Sequence, residues 1–293
     1  MTTLKGSNTS SRKYHLIILI LKLFVALALL GYISFFAMTF WQFTSPMHMA
    51  LTSSAKDKSR SIPPYLRRAV LVGSAKNIAN YARHTADQLH RVGSLFKDYW
   101  VVISEDGSSD KTAESFREYL GDHGEVIQSP EFEGDRLQRL AQARNVYLDR
   151  VKDKFNDWDY MIVFDLDFTC TLNTTTFREA VRFDPKWDAA LSFSIGDYWD
   201  WLAFQPLSNS DMSRDSFLNL LTTTPDDQFI PVDSAFAITA MYKIPKLMDV
   251  HYGAEGMLID HVILHRQLRE KYGKNVILVS PLCFCENDCM KKG

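Results

Sequence analysis

Glycine, proline and cysteine are all scarce in this sequence of 293 residues. The 13 glycines and 10 prolines are too few for a collagen-like or low-complexity chain. Four cysteines are too few for a fold built on disulfides. An excess of basic charge is also missing: the net charge is −2, whereas a dedicated nucleic-acid-binding protein is usually clearly basic. With 46% hydrophobic residues, the composition indicates a globular protein without a nucleic-acid partner.

The charges that are present are unevenly distributed. Residues 1–60 hold seven basic residues and one acid, which leaves 26 basic and 34 acidic residues, a net charge of −8, for 61–293. The basic front contains an uncharged run of 18 residues, Leu23 to Phe40. About 20 apolar residues in a helix span a bilayer, and Tyr14 and Trp41 stand where aromatic rings favour the membrane interface. A buried core helix and a cleaved signal peptide are the alternatives, but an uncleaved anchor fits best, because the run is longer than a signal-peptide core.

The orientation of this anchor follows from its flanking charges. Lys5, Arg12 and Lys13 precede the run closely, and the next charge after it is Lys56. The positive-inside rule then leaves the N-terminus in the cytosol and the body across the membrane. We predict a cytosolic tail at 1–13, a transmembrane signal anchor at 14–41, a stem at 42–66 and a folded domain at 67–293.

The folded domain alternates short apolar runs with segments of helical periodicity. The predicted strands are Arg68–Gly73, Tyr99–Ser104, Gly124–Gln128 and Tyr160–Phe164. The predicted helices are Asn77–Phe96, a segment ending at Leu120, and Arg136–Val151. This alternation predicts an α/β domain with a mainly parallel sheet and helices on both faces. Ligands of such sheets bind beyond the carboxyl ends of the strands, so the loops there are candidate binding segments.

Two acids, Asp165 and Asp167, follow the fourth of these strands. Carboxylates two positions apart at a strand end can converge on one Mg²⁺ or Mn²⁺, which keeps open positions for phosphate oxygens. The alternative is a pair of solvated or capping acids.

The loop after the second strand, residues 105–112, is rich in acids and serine. Asp106 could accept hydrogen bonds from ribose hydroxyls or a base N–H, and Gly107 lets the backbone turn closely beneath a ligand. Asp110 is a candidate N-cap of the next helix.

Together, these segments resemble GT-A glycosyltransferases, and among them fungal capsule-associated mannosyltransferases. The motifs that carry the resemblance are VLVGSAKN at 70–77, VVISEDGSSDKT at 101–112 and YMIVFDLDF at 160–168. Further segments resemble family motifs in the same order, at residues 140–145, 188–204, 232–242 and 260–262. The resemblance covers residues 68–283 and implies a Rossmann-like, nucleotide-sugar-binding sheet.

The sequence departs from the family pattern at three places. Ala237-Ile238 stands where relatives carry Gly-Gly, which could reshape the acceptor pocket. Ile259-Asp260-His261 stands where they carry Cys-Glu-His, and Phe204 replaces an arginine. These departures put the base and one anion contact in doubt.

The resemblance and the chemistry of the residues give candidate roles. The candidate metal ligands for Mn²⁺ or Mg²⁺ are Asp165, Asp167 and His261. His261 could instead donate to phosphate, and the alternative is a structural histidine with satisfied hydrogen bonds. The donor-binding residues are Gly73, Ser74, Glu105, Asp106 and Arg144. The candidate base, needed by an inverting enzyme and not by a retaining one, is Asp260 first and Glu255 second. The residues expected to contact acceptor or sugar are Asp197, Trp199 and Asp200.

The expected activity is transfer of a hexose, with mannose as the candidate, from a nucleotide sugar to a glycan hydroxyl. The expected location is a single-pass type II membrane protein of the Golgi or the endoplasmic reticulum with a lumenal catalytic domain. Three cysteines lie near the C-terminus and Cys170 is distant, and in a lumenal domain disulfides are favoured over a zinc site. The alternative functions are a nucleotidyltransferase on a similar sheet and a catalytically silent glycan-binding homologue.

Overall fold

A computed structural model of the protein describes residues 63–192, 202–207, 213–225, 228–256, 258–273 and 277–279. The predicted tail, the transmembrane anchor at 14–41 and most of the stem lie outside these residues. No helix within the described ranges is long and apolar enough to cross a membrane. The membrane anchor therefore stays a prediction from the sequence.

The described residues form one sheet of eight strands flanked by helices. The strands are β1 (Arg68–Ala75), β2 (Asp98–Glu105), β3 (Gly124–Gln128), β4 (Tyr160–Phe164), β5 (Ala189–Leu191), β6 (Ile230–Pro231), β7 (Thr239–Lys243) and β8 (Ile277–Val279). The helices are α1 (Ala79–Gly93), α2 (Thr112–Leu120), α3 (Arg136–Lys154), α4 (Thr174–Arg182), α5 (Arg214–Thr223), α6 (Ile244–Leu247) and α7 (Asp260–Tyr272).

The sheet order is β3-β2-β1-β4-β7-β5-β8-β6. Strands β1 to β4 run parallel to one another, and β5 runs parallel to β8. Strand β7 lies antiparallel between β4 and β5, and β6 is antiparallel to β8. The predicted mainly parallel α/β sheet is confirmed, with antiparallel strands in its second half.

Each face of the sheet packs against its own apolar core. Alternate residues of β1 point to opposite faces, so Val70 and Val72 belong to one core and Ala69 and Leu71 to the other. Residues of α3, α5 and α7 cover the first face, and residues of α1, α2 and α4 cover the second. This double cover explains why β1 and β4 are apolar without alternation.

Candidate active site

The carboxyl ends of β1 and β2 meet at one edge of the sheet, where their loops are hydrogen-bonded together. The Asp106 amide donates to the Ala75 carbonyl at 2.9 Å. The Asn77 amide donates to Ser108 Oγ at 2.9 Å, and Asn77 Oδ1 accepts from the Ser109 amide at 2.8 Å. Asn77 has a φ of 54°, in the left-handed region that asparagine tolerates well. The two loops therefore form one continuous wall.

Two acids of this wall accept hydrogen bonds from backbone amides of the protein. Glu105 is 2% exposed and its Oε1 accepts from the Ser108 amide. Burial would raise the pKa of Glu105, but hydrogen bonds from Ser108 and other neighbours outweigh burial and lower it. Glu105, which was predicted to bind the nucleotide-sugar donor, thus stabilises the turn.

Asp110, the second of these acids, links the starts of two helices. Lys111 occupies the N-cap position of α2, so the prediction that Asp110 is the cap is wrong in position. Asp110 Oδ1 accepts from the Thr112 amide at 2.9 Å, and Oδ2 accepts from the Ala79 amide at 3.1 Å. The side chain still satisfies helix N-terminal amides, as a cap does, but in α1 and α2 at once.

A cleft of about 330 Å³ separates this wall from the first turns of α3. It is lined by Ser74, Ala75, Lys76, Asp106, Arg136, Arg139, Leu140 and Ala143. Lys76 Nζ lies 2.9 Å from Asp106 Oδ2. Within the described residues, Ser74 Oγ is buried and has no hydrogen-bond partner. The cleft therefore brings together the predicted donor residues Ser74 and Asp106 with an excess of positive charge.

The two arginines of this cleft were not predicted as site residues from the sequence. Arg136 and Arg139 lie in the first turns of α3, where the helix dipole is positive and acids are favoured. The first turn of α3 holds no acid, and no carboxylate in the described part of the chain pairs with either arginine. Two arginines at the start of a helix are the signal that points to an anionic ligand.

Asp165 and Asp167 follow β4 at the same edge. The Asp165 amide donates to the Ile238 carbonyl at 2.8 Å, and Asp165 Oδ1 lies 3.1 Å from Arg144 Nη2. Asp167 is exposed. No group of three His, Cys, Asp or Glu side chains in the described ranges is arranged to hold a metal. A pair of carboxylates nevertheless fits Mg²⁺ or Mn²⁺, because such ions take one or two carboxylates together with substrate phosphates.

Gly73, which was predicted to bind the nucleotide-sugar donor, instead allows the segment with the two acids to pack closely against β1. A Cβ on Gly73 would lie 2.6 Å from both Leu166 Cγ and the Phe164 carbonyl oxygen. The space above Gly73 is therefore filled by the residue between the two acids. Glycine is required here because β1 and the Asp165–Asp167 segment approach each other closely.

Arg144 joins Asp165 to Asp260. Its Nε lies 2.8 Å from Asp260 Oδ2, and its guanidinium carbon lies 5.1 Å from the Phe236 ring centre and 5.9 Å from that of Tyr252. The side chains of Arg144 and Asp260 are only 8% and 3% exposed. Burial would lower the pKa of Arg144, but interactions with Asp260, Tyr147 and Asp165 outweigh burial and raise the pKa well above its usual value.

The two candidate bases occupy different surroundings. Asp260 is the first residue of α7, Ile259 holds the N-cap position, and Asp260 Oδ1 accepts from the His261 amide at 2.9 Å. Glu255 is 61% exposed and pairs with Arg266 at 2.6 Å. The structure thus brings Asp260, but not Glu255, into contact with Arg144.

His261 lies in the core and outside any three-ligand group of the described residues. It is 1% exposed and stacks on Phe236 with ring centres 3.7 Å apart. Its Nδ1 lies 3.4 Å from the Tyr242 hydroxyl, which also contacts His265 Nε2 at 2.8 Å. Burial, Arg144 and His265 lower the pKa of His261 well below its usual value, and burial lowers that of His265 to about 3.

Some of the remaining predicted residues lie outside the described ranges. Asp197, Trp199 and Asp200 lie outside the described residues. Phe204, at the position where the family resemblance implies an arginine, is 8% exposed, and its ring centre lies 4.3 Å from that of Phe217. Cys170 is disulfide-bonded.

Comparison with known proteins shows likeness in structure only. No protein-family model matches the sequence, and no curated protein matches it either. The fold is similar to that of the mannosyltransferase PcManGT from Pyrobaculum calidifontis, solved with GDP-Man and Mn²⁺. The TM-score is 0.51 at 15% identity, over 85% of this chain and 68% of that one. This likeness establishes a shared fold and agrees with the predicted GT-A arrangement.

Two further solved structures match less well. TarS from S. aureus gives a TM-score of 0.49 at 16% identity, over 75% of this chain and 59% of that one. Glucosyl-3-phosphoglycerate synthase from Mycobacterium tuberculosis gives 0.47 at 15% identity, over 73% and 69%. The chain thus spans about three fifths of the TarS structure. The more specific resemblance to fungal capsule-associated enzymes stays a prediction.

Proposed function

We propose that this protein transfers a sugar from a nucleotide-sugar donor to a hydroxyl group of a glycan acceptor, assisted by Mn²⁺ or Mg²⁺. One observation carries the proposal: the cationic cleft and the carboxylate pair are neighbours at the carboxyl edge of the parallel strands. Ala143 lines the cleft, and the next residue, Arg144, pairs with Asp165. Ligands of open α/β sheets bind at this edge.

The cleft residues match the chemistry of a nucleoside diphosphate. Arg136 and Arg139 offer planar, charged donors to phosphate oxygens, and Lys76 adds a third positive charge. Asp106 accepts hydrogen bonds from ribose hydroxyls or a base N–H. Ser74 also lines this cleft, and its hydroxyl, which is buried and has no hydrogen-bond partner within the described residues, is a further polar group there.

Asp165 and Asp167 would hold the divalent cation. When bound, the cation offsets the negative charge that develops on the departing nucleoside diphosphate. Arg144 fixes the Asp165 carboxylate through Oδ1. The role of Asp260 as a base stays a prediction, since its contact with Arg144 favours the role of a buried counter-ion.

The finer parts of the proposal are mannose as the donor sugar, a glycan as the acceptor, and a lumenal domain anchored in the Golgi or the endoplasmic reticulum. PcManGT, which was solved with GDP-Man, supports mannose by analogy of fold. The uncharged run from Leu23 to Phe40 supports the anchor. The disulfide at Cys170 supports an oxidising compartment.

The test is nucleotide release by the full chain in detergent. The protein is incubated with Mn²⁺, a glycan mixture and a panel of nucleotide sugars including GDP-mannose, and nucleoside diphosphate is measured. Asp165→Asn and Asp167→Asn should abolish release, while Asp149→Asn, which removes a carboxylate that is 74% exposed, should leave it unchanged. Release of pyrophosphate from a nucleoside triphosphate and a sugar phosphate would instead identify a nucleotidyltransferase. Absence of any turnover or donor binding would refute the proposal.

A further inference from the structure

A stripe of polar side chains on α1 contacts the backbone of the segment that bears the two acids. The buried face of α1 is otherwise apolar, formed by Ala82, Ala86, Leu89 and Val92. Thr85 lies on this face and is 0% exposed. A polar side chain at such a position needs a hydrogen-bond partner, so its partner indicates its purpose.

The partners of the stripe are all backbone groups of residues 165–172, which we call the carboxylate loop. Thr85 Oγ1 donates to the Leu166 carbonyl at 2.7 Å. His84 Nε2 lies 2.9 Å from the Cys170 carbonyl oxygen, and Gln88 Oε1 accepts from the Leu172 amide at 2.9 Å. Residues 84, 85 and 88 lie on adjoining faces of one helix, so a single rigid element contacts the loop at three points.

Of the three contacts, that of Thr85 is the one nearest to the two candidate metal ligands. The Leu166 carbonyl stands between Asp165 and Asp167, and the Leu166 side chain lies against Gly73 on β1. Without the Thr85 hydroxyl, that carbonyl would lose its hydrogen bond in a buried place. The loop would then shift to satisfy it, and both carboxylates would move with the loop.

We propose that α1 positions the carboxylate loop and that Thr85 is the central positioning residue for metal binding by Asp165 and Asp167. The metal part of this inference rests on the function proposed above. Partners outside the ligand shell that orient metal ligands change metal affinity by about 10- to 100-fold when they are removed. The same order of effect is expected here.

The test compares Thr85→Val with Thr85→Ser in the full chain. Valine keeps the shape and removes the hydroxyl, whereas serine keeps the hydroxyl. Free Mn²⁺ is measured by electron paramagnetic resonance during titration in the presence of GDP. Thr85→Val should weaken Mn²⁺ binding by about 10-fold or more, and Thr85→Ser should stay within about threefold of the unchanged protein. Equal affinity in Thr85→Val and the unchanged protein would overturn the inference.

Hydrogen exchange of the loop amides separates this inference from the metal proposal. Thr85→Val should speed exchange across residues 165–172 without any metal, and unchanged exchange would overturn the positioning role. Binding of no Mn²⁺ by the unchanged protein would refute the metal site, while the exchange result would still decide the role of α1. Gln88→Leu, which removes the acceptor of the Leu172 amide, gives a second variant with the same expected direction if Thr85→Val fails to fold.

Thr223→Val is the matched control. Thr223 is the last residue of α5, and its Oγ1 donates to the Asn219 carbonyl at 2.8 Å. The same chemical change there removes a hydrogen bond to a backbone carbonyl outside the carboxylate loop, so exchange in that loop should stay as it is. Faster loop exchange in Thr223→Val as well would show that loss of any threonine hydroxyl has this effect and would overturn the specific role of Thr85.

Discussion

The ion pair between Arg144 and Asp260 should dominate the stability of the candidate site. With an effective dielectric constant of about 20, the gross Coulomb attraction at 2.8 Å is about 6 kcal/mol. The contact with Asp165 at 3.1 Å adds about 5 kcal/mol on the same scale. Desolvation offsets most of this attraction, because the Arg144 and Asp260 side chains are 8% and 3% exposed.

Removal of only one partner exposes the desolvation penalty. Arg144→Met leaves Asp260 buried without its counter-charge, and such changes destabilise proteins by about 3–5 kcal/mol. Asp260→Asn should destabilise less, by about 1.5–3 kcal/mol, because Arg144 keeps its contact with Asp165. The double variant should recover the part of the loss that comes from the unpaired Asp260 charge, and its methionine would lie near the aromatic rings of Phe236 and Tyr252.

Urea unfolding of the four proteins measures these free energies. Thermal unfolding should agree, with Arg144→Met melting lower by about 6–20 °C in a domain of this size. The informative quantity is the coupling between the two changes. If the double variant is destabilised by the sum of the two single losses, the buried pair contributes no coupling and the reasoning fails.

Three further predictions concern pH, backbone contact and ligand charge. The His265 pKa of about 3 lies below its usual 6.5, so the unfolded chain binds the proton first and stability should fall as the pH drops below about 6.5, by up to about 1.4 kcal/mol per pH unit. Urea unfolding at several pH values should show a smaller fall in His265→Gln. Gly73→Ala should lower the free energy of unfolding by about 1–3 kcal/mol, because its Cβ overlaps Leu166. Arg139→Gln should weaken GDP binding in calorimetry about tenfold without lowering the melting temperature, and Arg117→Gln, exposed on α2, should leave binding unchanged.

Much of the first half of the sheet could be predicted from the sequence because burial on both faces leaves a plain pattern. Strands Gly124–Gln128 and Tyr160–Phe164 have the predicted bounds, and Arg68–Ala75 extends its prediction by two residues. The antiparallel direction of Thr239–Lys243 could not be predicted. A short apolar run buried on both faces looks the same in either direction, and only pairing with distant residues decides between them.

The candidate site shows the same limit. Strand-end placement drew attention to Asp106 and Asp165, because topology alone brings those positions to one edge. The pairing of Arg144 with Asp260 depends on how α3 and α7 pack, which no local pattern encodes. His261 resembled a ligand by residue type, yet it is 1% exposed and stacked in the core. Residue type indicates what a side chain can do, and tertiary packing decides whether it faces a ligand.

The backbone beside Asp165 is held in a strained conformation, which ties the sequence departure at Ala237-Ile238 to the site. Ile238 has a φ of 69°, a region that a β-branched residue adopts at a cost of about 1–3 kcal/mol and that glycine adopts freely. Its carbonyl accepts from the Asp165 amide at 2.8 Å, and the buried Ser192 hydroxyl bonds the backbone of the residues on either side of it. Strain persists only where the surroundings impose it, so these contacts must outweigh its cost. Three contacts therefore fix Asp165 before any ligand binds. Ile238 accepts from its amide, Thr85 on α1 donates to the neighbouring Leu166 carbonyl, and Arg144 on α3 pairs with its side chain.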